Sequence, residues 1–127
     1  MNDGQAPVLQ DVAILIVEDR YLIASDIAHE VERLGASVAG LASSVSQANA
    51  ILDRTPIDVA VLDVNLEGEQ VFPVADRLAR EGSPFLFLTG YDDWLLPEKW
   101  RDRPTLAKPL SPRALRDAIV RLRALPH

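Results

Sequence analysis

Cysteine is absent from the 127 residues, which excludes disulfides, thiolate zinc sites and cysteine nucleophiles. Histidine is scarce: His29 and His127 are the two present, too few for a histidine-rich metal centre. Basic residues are outnumbered, 13 against 19 acidic ones for a formal charge of -6. That balance argues against nonspecific nucleic-acid binding, which needs a basic surface. No apolar run approaches the roughly 20 residues that cross a bilayer. Met1 to Gln10 lacks a basic segment followed by an apolar one, so it is not a secretory signal. Internal repeats and low-complexity tracts are also missing. What is present is an apolar content of 48% over the length of one ordinary domain, enough to bury a core. These features describe a soluble, cytoplasmic protein able to hold a divalent cation.

Residues 1–10 are polar, with Gly4 and Pro7, and read as a flexible tail. From residue 11 two patterns alternate. Val12 to Val17 is a continuous apolar, β-branched run, the signature of a strand covered on both faces. Ile23, Ile27, Val31 and Leu34 form a helical stripe stopped by Gly35. Ser37 to Ala42 reads as a second strand. Ser46 is the expected cap of a short helix carrying Ala48, Ile51 and Leu52. Val59 to Leu62 is a third strand. Phe72, Ala75, Leu78 and Ala79 mark a helix ended by Gly82. Phe85 to Leu88 is a fourth strand, and a fourth helix is expected within Asp92 to Arg101. Thr105 to Ala107 is a brief fifth strand. Ser111-Pro112 opens the last helix, striped by Leu115, Ile119 and Leu122. Five strands alternating with five helices predict a doubly wound α/β fold, a five-stranded parallel sheet with helices on both faces. Such sheets bind ligands beyond the carboxyl ends of their strands.

At those ends stand Glu18-Asp19 after the first strand, Asp63 after the third, Thr89-Gly90 after the fourth and Lys108-Pro109 after the fifth. Three carboxylates brought together repel one another and call for a cation. Oxygen ligands with positions left for water suit Mg2+, with Mn2+ as an alternative. Glu18, Asp19 and Asp63 can supply carboxylate oxygens, and the Asn65 backbone carbonyl follows closely. A carboxylate beside magnesium can attack an activated phosphoryl group, a reaction limited by charge neutralisation, which the ion and Lys108 would provide. The Thr89 hydroxyl can donate to a phosphoryl oxygen. Taken singly, each residue has a plainer reading. Asp19 can cap a helix starting at Arg20, Asp63 a turn. Thr89 can be a turn hydroxyl and Lys108 a solvated lysine. Four such coincidences at strand ends of one short chain are improbable.

At these residues the chain resembles a response-regulator receiver domain of two-component signalling, over about residues 11 to 124. The matching pieces are ILIVED at 14–19, VAVLDVNL at 59–66, FLFLTGYD at 85–92 and AKP at 107–109. By this resemblance Asp63 is the phosphoacceptor and Glu18 and Asp19 are the acidic metal pair. The Asn65 carbonyl completes the magnesium site, Thr89 is the switch hydroxyl, and Lys108 pairs with the phosphoryl group. The family pattern also implies a flavodoxin-like fold over 11–125 and a cis peptide at Lys108-Pro109.

There are departures. Many receivers carry an aromatic residue three positions before the lysine, where this chain has Thr105; Tyr91, Trp94 and Trp100 are candidate substitutes. Pro97 breaks the expected fourth helix, leaving a turn and a short helix over Glu98 to Arg101. Glu67 replaces the family's common proline, with Gly68 after it. LFLTGYD partly resembles the Phe-Ala-Thr-Gly type of receiver.

The implied function is a stand-alone receiver that takes its phosphoryl group from a histidine kinase or a histidine phosphotransfer protein. It would then change its affinity for a downstream protein target, or act as a phosphate sink. No DNA-binding segment follows the last stripe, and a phosphorylation-driven homodimer is a further option. The arginines of the last helix, Arg113, Arg116, Arg121 and Arg123, read as a solvated face or a partner contact. Leu66, Val71 and Phe72 read either as a kinase-docking patch or as core. Three rivals stand beside this reading. A magnesium-dependent aspartyl-phosphate phosphohydrolase lacks a general acid, because Asn65 stands at its position. A receiver-like module that binds without being phosphorylated is favoured by Thr105 and opposed by the complete set of Glu18, Asp19, Asp63, Thr89 and Lys108. A flavin-binding protein would need a phosphate cradle where Glu18-Asp19-Arg20 stands.

Overall fold

The apolar run that opens the domain becomes strand β1 (Ala13–Val17), at the centre of a sheet seen in a computed structural model that describes residues 8–90 and 96–124. After it come α1 (Tyr21–Arg33), β2 (Ser37–Ala42), α2 (Val45–Arg54) and β3 (Val59–Asp63). A small hairpin, β4 (Asn65–Leu66) and β5 (Glu69–Gln70), leads into α3 (Phe72–Glu81). The chain continues with β6 (Phe85–Thr89), a 3-10 helix (Glu98–Trp100), β7 (Thr105–Ala107) and α4 (Pro112–Ala124). The main sheet has the order β2-β1-β3-β6-β7, and every pairing in it is parallel. The order reverses at β1, whose neighbours β2 and β3 lie on opposite sides. The crevice of a doubly wound sheet opens at that reversal.

The pleat sends alternate residues to opposite faces. Leu15, Val17, Ala60, Leu62, Phe85 and Phe87 pack with Ile51 of α2 and Val74 and Leu78 of α3. Ile14, Ile16, Val59, Val61, Leu86 and Leu88 pack on the other side with Ile27 and Val31 of α1 and Leu115 and Ile119 of α4. Both faces are covered, which is why the strands read as unbroken apolar runs. Among the described residues, no helix is long and apolar enough to cross a membrane.

Three details differ from the sequence reading. Leu9, assigned to the tail, is buried, and its N–H donates to the Leu34 carbonyl at 2.8 Å. An isolated leucine among polar residues carries no periodic signal, yet it closes the end of the α1 face. The cap of α2 is Ser44, not Ser46: its hydroxyl accepts from the Gln47 N–H. Gln47 in turn accepts from the N–H of Ser43, the residue before the cap. The β4–β5 hairpin was not expected. Its two-residue turn is Glu67-Gly68, with Gly68 at φ 82, a conformation that suits glycine.

The expected fourth helix is short, as Pro97 predicts. Among the described residues there are four α-helices, and a 3-10 turn at Glu98–Trp100 follows Pro97. The expected interruption at Pro97 is therefore present. Trp100 is buried in an edge-to-face aromatic cluster, 5.7 Å from Phe85 and 6.0 Å from Phe87 between ring centroids. It covers sheet that a longer helix would otherwise cover. Of the candidate substitutes for the missing aromatic at Thr105, Trp100 is thus a core residue, and Tyr91 and Trp94 lie outside the described residues. Thr105 itself is exposed, and its hydroxyl donates to the Arg103 carbonyl.

Candidate functional site

Parallel pairing places the ends of β1, β3, β6 and β7 along one edge. Val17 pairs with Leu62, Asp63 with Leu88, and Thr89 with Ala107. The residues just beyond these pairs are therefore neighbours in space. Glu18 leaves β1 with its N–H donated to the Ala42 carbonyl, and Lys108 leaves β7 with its N–H donated to the Thr89 carbonyl at 2.8 Å. The Lys108-Pro109 peptide is cis, as the resemblance implied.

The carboxylates of Glu18, Asp19 and Asp63 each place an oxygen within 4.8 Å of the others. Glu18 and Asp63 are buried, at 3% and 2% exposure, which is where charge is expensive. The Lys108 ammonium reaches both, 3.1 Å from Glu18 Oε1 and 3.2 Å from Asp63 Oδ2. One ammonium cannot neutralise two buried carboxylates. Burial, followed by the Glu18 charge, pushes the Asp63 pKa up to about 7, with Lys108 pulling the other way. Burial also works against the Lys108 charge, but Glu18 and Asp63 outweigh it and hold the lysine pKa above its usual value. Glu18 Oε1 is buried and accepts no hydrogen bond, although the Lys108 ammonium lies 3.1 Å away as an ion pair.

A buried carboxylate oxygen that accepts no hydrogen bond, close to two further carboxylates in an all-oxygen donor set, fits a hard divalent cation. Magnesium satisfies that requirement, and Glu18, Asp19 and Asp63 are the residues that would hold it. Asn65, exposed at the start of β4, lines the same groove. Asp19 does not cap α1: the cap residue is Arg20, which makes no side-chain cap bond. Asp19 Oδ2 instead accepts the Glu67 N–H at 2.8 Å, tying the hairpin to the acidic pair. Thr89 is half-buried at the end of β6, one residue beyond the partner of Asp63. The residues Glu18, Asp19, Asp63, Asn65, Thr89 and Lys108 thus lie along one edge. Of the Leu66, Val71 and Phe72 patch, Val71 is core, Phe72 packs against the core, and Leu66 is buried while lining the groove.

Two features escaped the sequence reading. One is the Asp19–Glu67 tether, whose only signal is the Glu67-Gly68 turn. The other is Arg20, whose backbone N–H donates to Glu18 Oε2 at 3.1 Å and which lines the groove with Asp63 and Lys108. It stands directly after the acidic pair.

The family model for the response regulator receiver domain matches residues 14–120. The structure is similar to the solution structure of SdrG from Sphingomonas melonis Fr1, at 40% identity, covering 88% of this chain and 96% of that one with a TM-score of 0.80. It is similar to the receiver domain of the PhyR response regulator from Erythrobacter litoralis, at 26% identity, 94% and 97% coverage and a TM-score of 0.80. PhyR from Brucella abortus matches at 28% identity with a TM-score of 0.77, over 91% of this chain and 50% of that one. The chain thus spans half the length of the Brucella protein. No curated protein matches the chain. With a family match over most of its length, five parallel strands in the doubly wound order and an acidic pocket at their ends, the chain belongs to the response regulator receiver domains.

Proposed function

We propose that this receiver accepts a phosphoryl group on Asp63, in a magnesium-dependent step, from a histidine kinase or a histidine phosphotransfer protein. The observation that carries the reading is the buried Asp63 carboxylate, within 4.8 Å of the Glu18 and Asp19 carboxylates and 3.2 Å from the Lys108 ammonium. In the transfer, an Asp63 carboxylate oxygen forms a bond to phosphorus as the donor's P–N bond breaks. The electron pair stays on the imidazole nitrogen, which takes its proton from solvent. A bound magnesium supplies charge neutralisation for the phosphoryl oxygens. Manganese is its substitute. Lys108 then exchanges its contact with Asp63 for one with the new phosphoryl group. Thr89 donates its hydroxyl to that group, and the altered loop after β6 changes affinity for a downstream protein target. The site is a signalling acceptor and not a turnover enzyme, and its kinase partner implies a cytoplasmic location.

The test is intact-mass measurement after incubation with magnesium and acetyl phosphate. One phosphoryl group is expected on the wild type. None is expected on Asp63→Asn, nor on the wild type with the cation chelated. Modification of Asp63→Asn to the same extent would sink the assignment. Sustained turnover of small phosphate esters would favour the phosphohydrolase reading instead.

A further inference from the structure

We infer that the Arg20 guanidinium is a second phosphate-binding group of the Asp63 groove, taking oxygens of the donor's phosphoryl group that Lys108 does not reach. This rests on the reading of Asp63 as acceptor. The groove, of about 870 Å³, is lined by the acidic Asp19, Asp63 and Glu67 and by the basic Arg20 and Lys108. A phosphoryl donor carries negative charge and must approach a groove lined by three carboxylates. Lys108 is half-buried and committed to Glu18 and Asp63. Arg20 is exposed, and among the described residues its guanidinium makes no ion pair, although Asp19 and Glu67 share the groove. Its main chain is nonetheless held against the site through the Glu18 carboxylate. A cation anchored at its backbone, free of ion pairs at its tip among the described residues and lining an acidic groove is positioned to meet an incoming anion. The planar fork of arginine matches a phosphoryl group's paired oxygens in a way that a lysine point charge does not.

The experiment measures the second-order rate constant of phosphoryl uptake by the full chain with two small donors, acetyl phosphate and N-phosphoimidazole, the latter carrying the phosphohistidine bond. Wild type, Arg20→Lys and Arg20→Ala are compared. In parallel, magnesium affinity and binding of inorganic phosphate in the presence of magnesium are followed by backbone amide shifts. For Arg20→Ala, uptake is expected to fall about tenfold, as for the loss of one charge-assisted hydrogen bond. Arg20→Lys should retain part of the rate. Phosphate binding should weaken with uptake, whereas magnesium binding should hold or tighten, because a positive charge has left an acidic groove. These opposed directions separate a phosphate contact from a structural role. If uptake, phosphate binding and magnesium binding weaken together, Arg20 is only scaffolding and the inference is overturned. It is also overturned if uptake from both donors stays within twofold of wild type. A fall with N-phosphoimidazole alone assigns the contact to the phosphohistidine source, and a fall with both assigns it to the phosphoryl group itself. If the wild type takes up no phosphoryl group but binds phosphate in an Arg20-dependent way, the acceptor reading fails and the arginine contact stands.

Discussion

At the scale of single residues, Asp63 sets the terms of the site. An aspartate in an unfolded chain loses its proton near pH 3.9. In the cation-free fold, burial and the Glu18 charge keep the proton on Asp63 up to about pH 7. Between those values the folded state binds more protons than the unfolded state, so stability falls as pH rises through the window and the loss is complete above it. Lys108 titrates above its usual lysine range and so contributes nothing to this slope. The expected outcome concerns Asp63→Asn, which keeps the shape and removes the titration. In a chelating buffer, its stability relative to wild type should rise between pH 4 and pH 8 by on the order of 4 kcal/mol, about three pH units at roughly 1.4 kcal/mol each. Thermal melts of both proteins across that range check it. A gap that does not change with pH would show that Asp63 is not held protonated.

At the scale of elements, the helices and strands that carry the site depend on close contacts away from it. Gly40, in β2, faces α2. A Cβ there would lie 2.6 Å from Ile51 Cδ1 and 3.2 Å from both Ile51 Cγ1 and Cγ2. Three atoms of one buried side chain cannot all move aside, so Gly40→Ala pushes α2 off the sheet or forces Ile51 from its rotamer. The expected cost is about 1–3 kcal/mol, read from urea denaturation. Ile51→Val alone leaves a small cavity and costs roughly 0.5–1.5 kcal/mol. It also removes the atom in the hardest clash, so the double variant should be more stable than the sum of the two losses predicts. Strict additivity would mean that the strand, not Ile51, absorbs the extra methyl. The same helix is fastened to the site from its other end. The Glu69 carboxylate, in the second strand of the hairpin, accepts the Val45 N–H at the start of α2 at 2.9 Å. Asp19 holds the Glu67 N–H of the same hairpin. The hairpin therefore links the acidic pair to α2 by two hydrogen bonds.

At the scale of the molecule, the legible parts of the fold are those where many residues repeat one signal. The strands at Val12–Val17 and Phe85–Leu88 could be read because a sheet covered on both faces needs unbroken apolar runs. The site could be read because a parallel sheet gathers strand ends, so that Glu18, Asp63, Thr89 and Lys108, far apart in sequence, had to share an edge. The parts that stayed hidden rest on single residues or on reach. Leu9 packs without periodicity, the two-residue strands of the hairpin are too short to pattern, and three serines competed for one cap. The simultaneous contact of Lys108 with Glu18 and Asp63 is a matter of side-chain direction that no spacing encodes. The acidic site exists only when β1 and β3 are paired, so a cation that binds there binds the folded state and not the unfolded one. Magnesium should therefore raise the melting temperature of the whole domain. The gain approaches about 2.7 kcal/mol at a hundredfold excess over the dissociation constant. The gain should be larger at pH 8 than at pH 6, since only above about 7 does Asp63 offer its carboxylate to the ion without first losing a proton. Asp63→Asn should lose most of the gain and all of its pH dependence. A magnesium shift of equal size in both proteins at both pH values would place the ion elsewhere on this acidic surface.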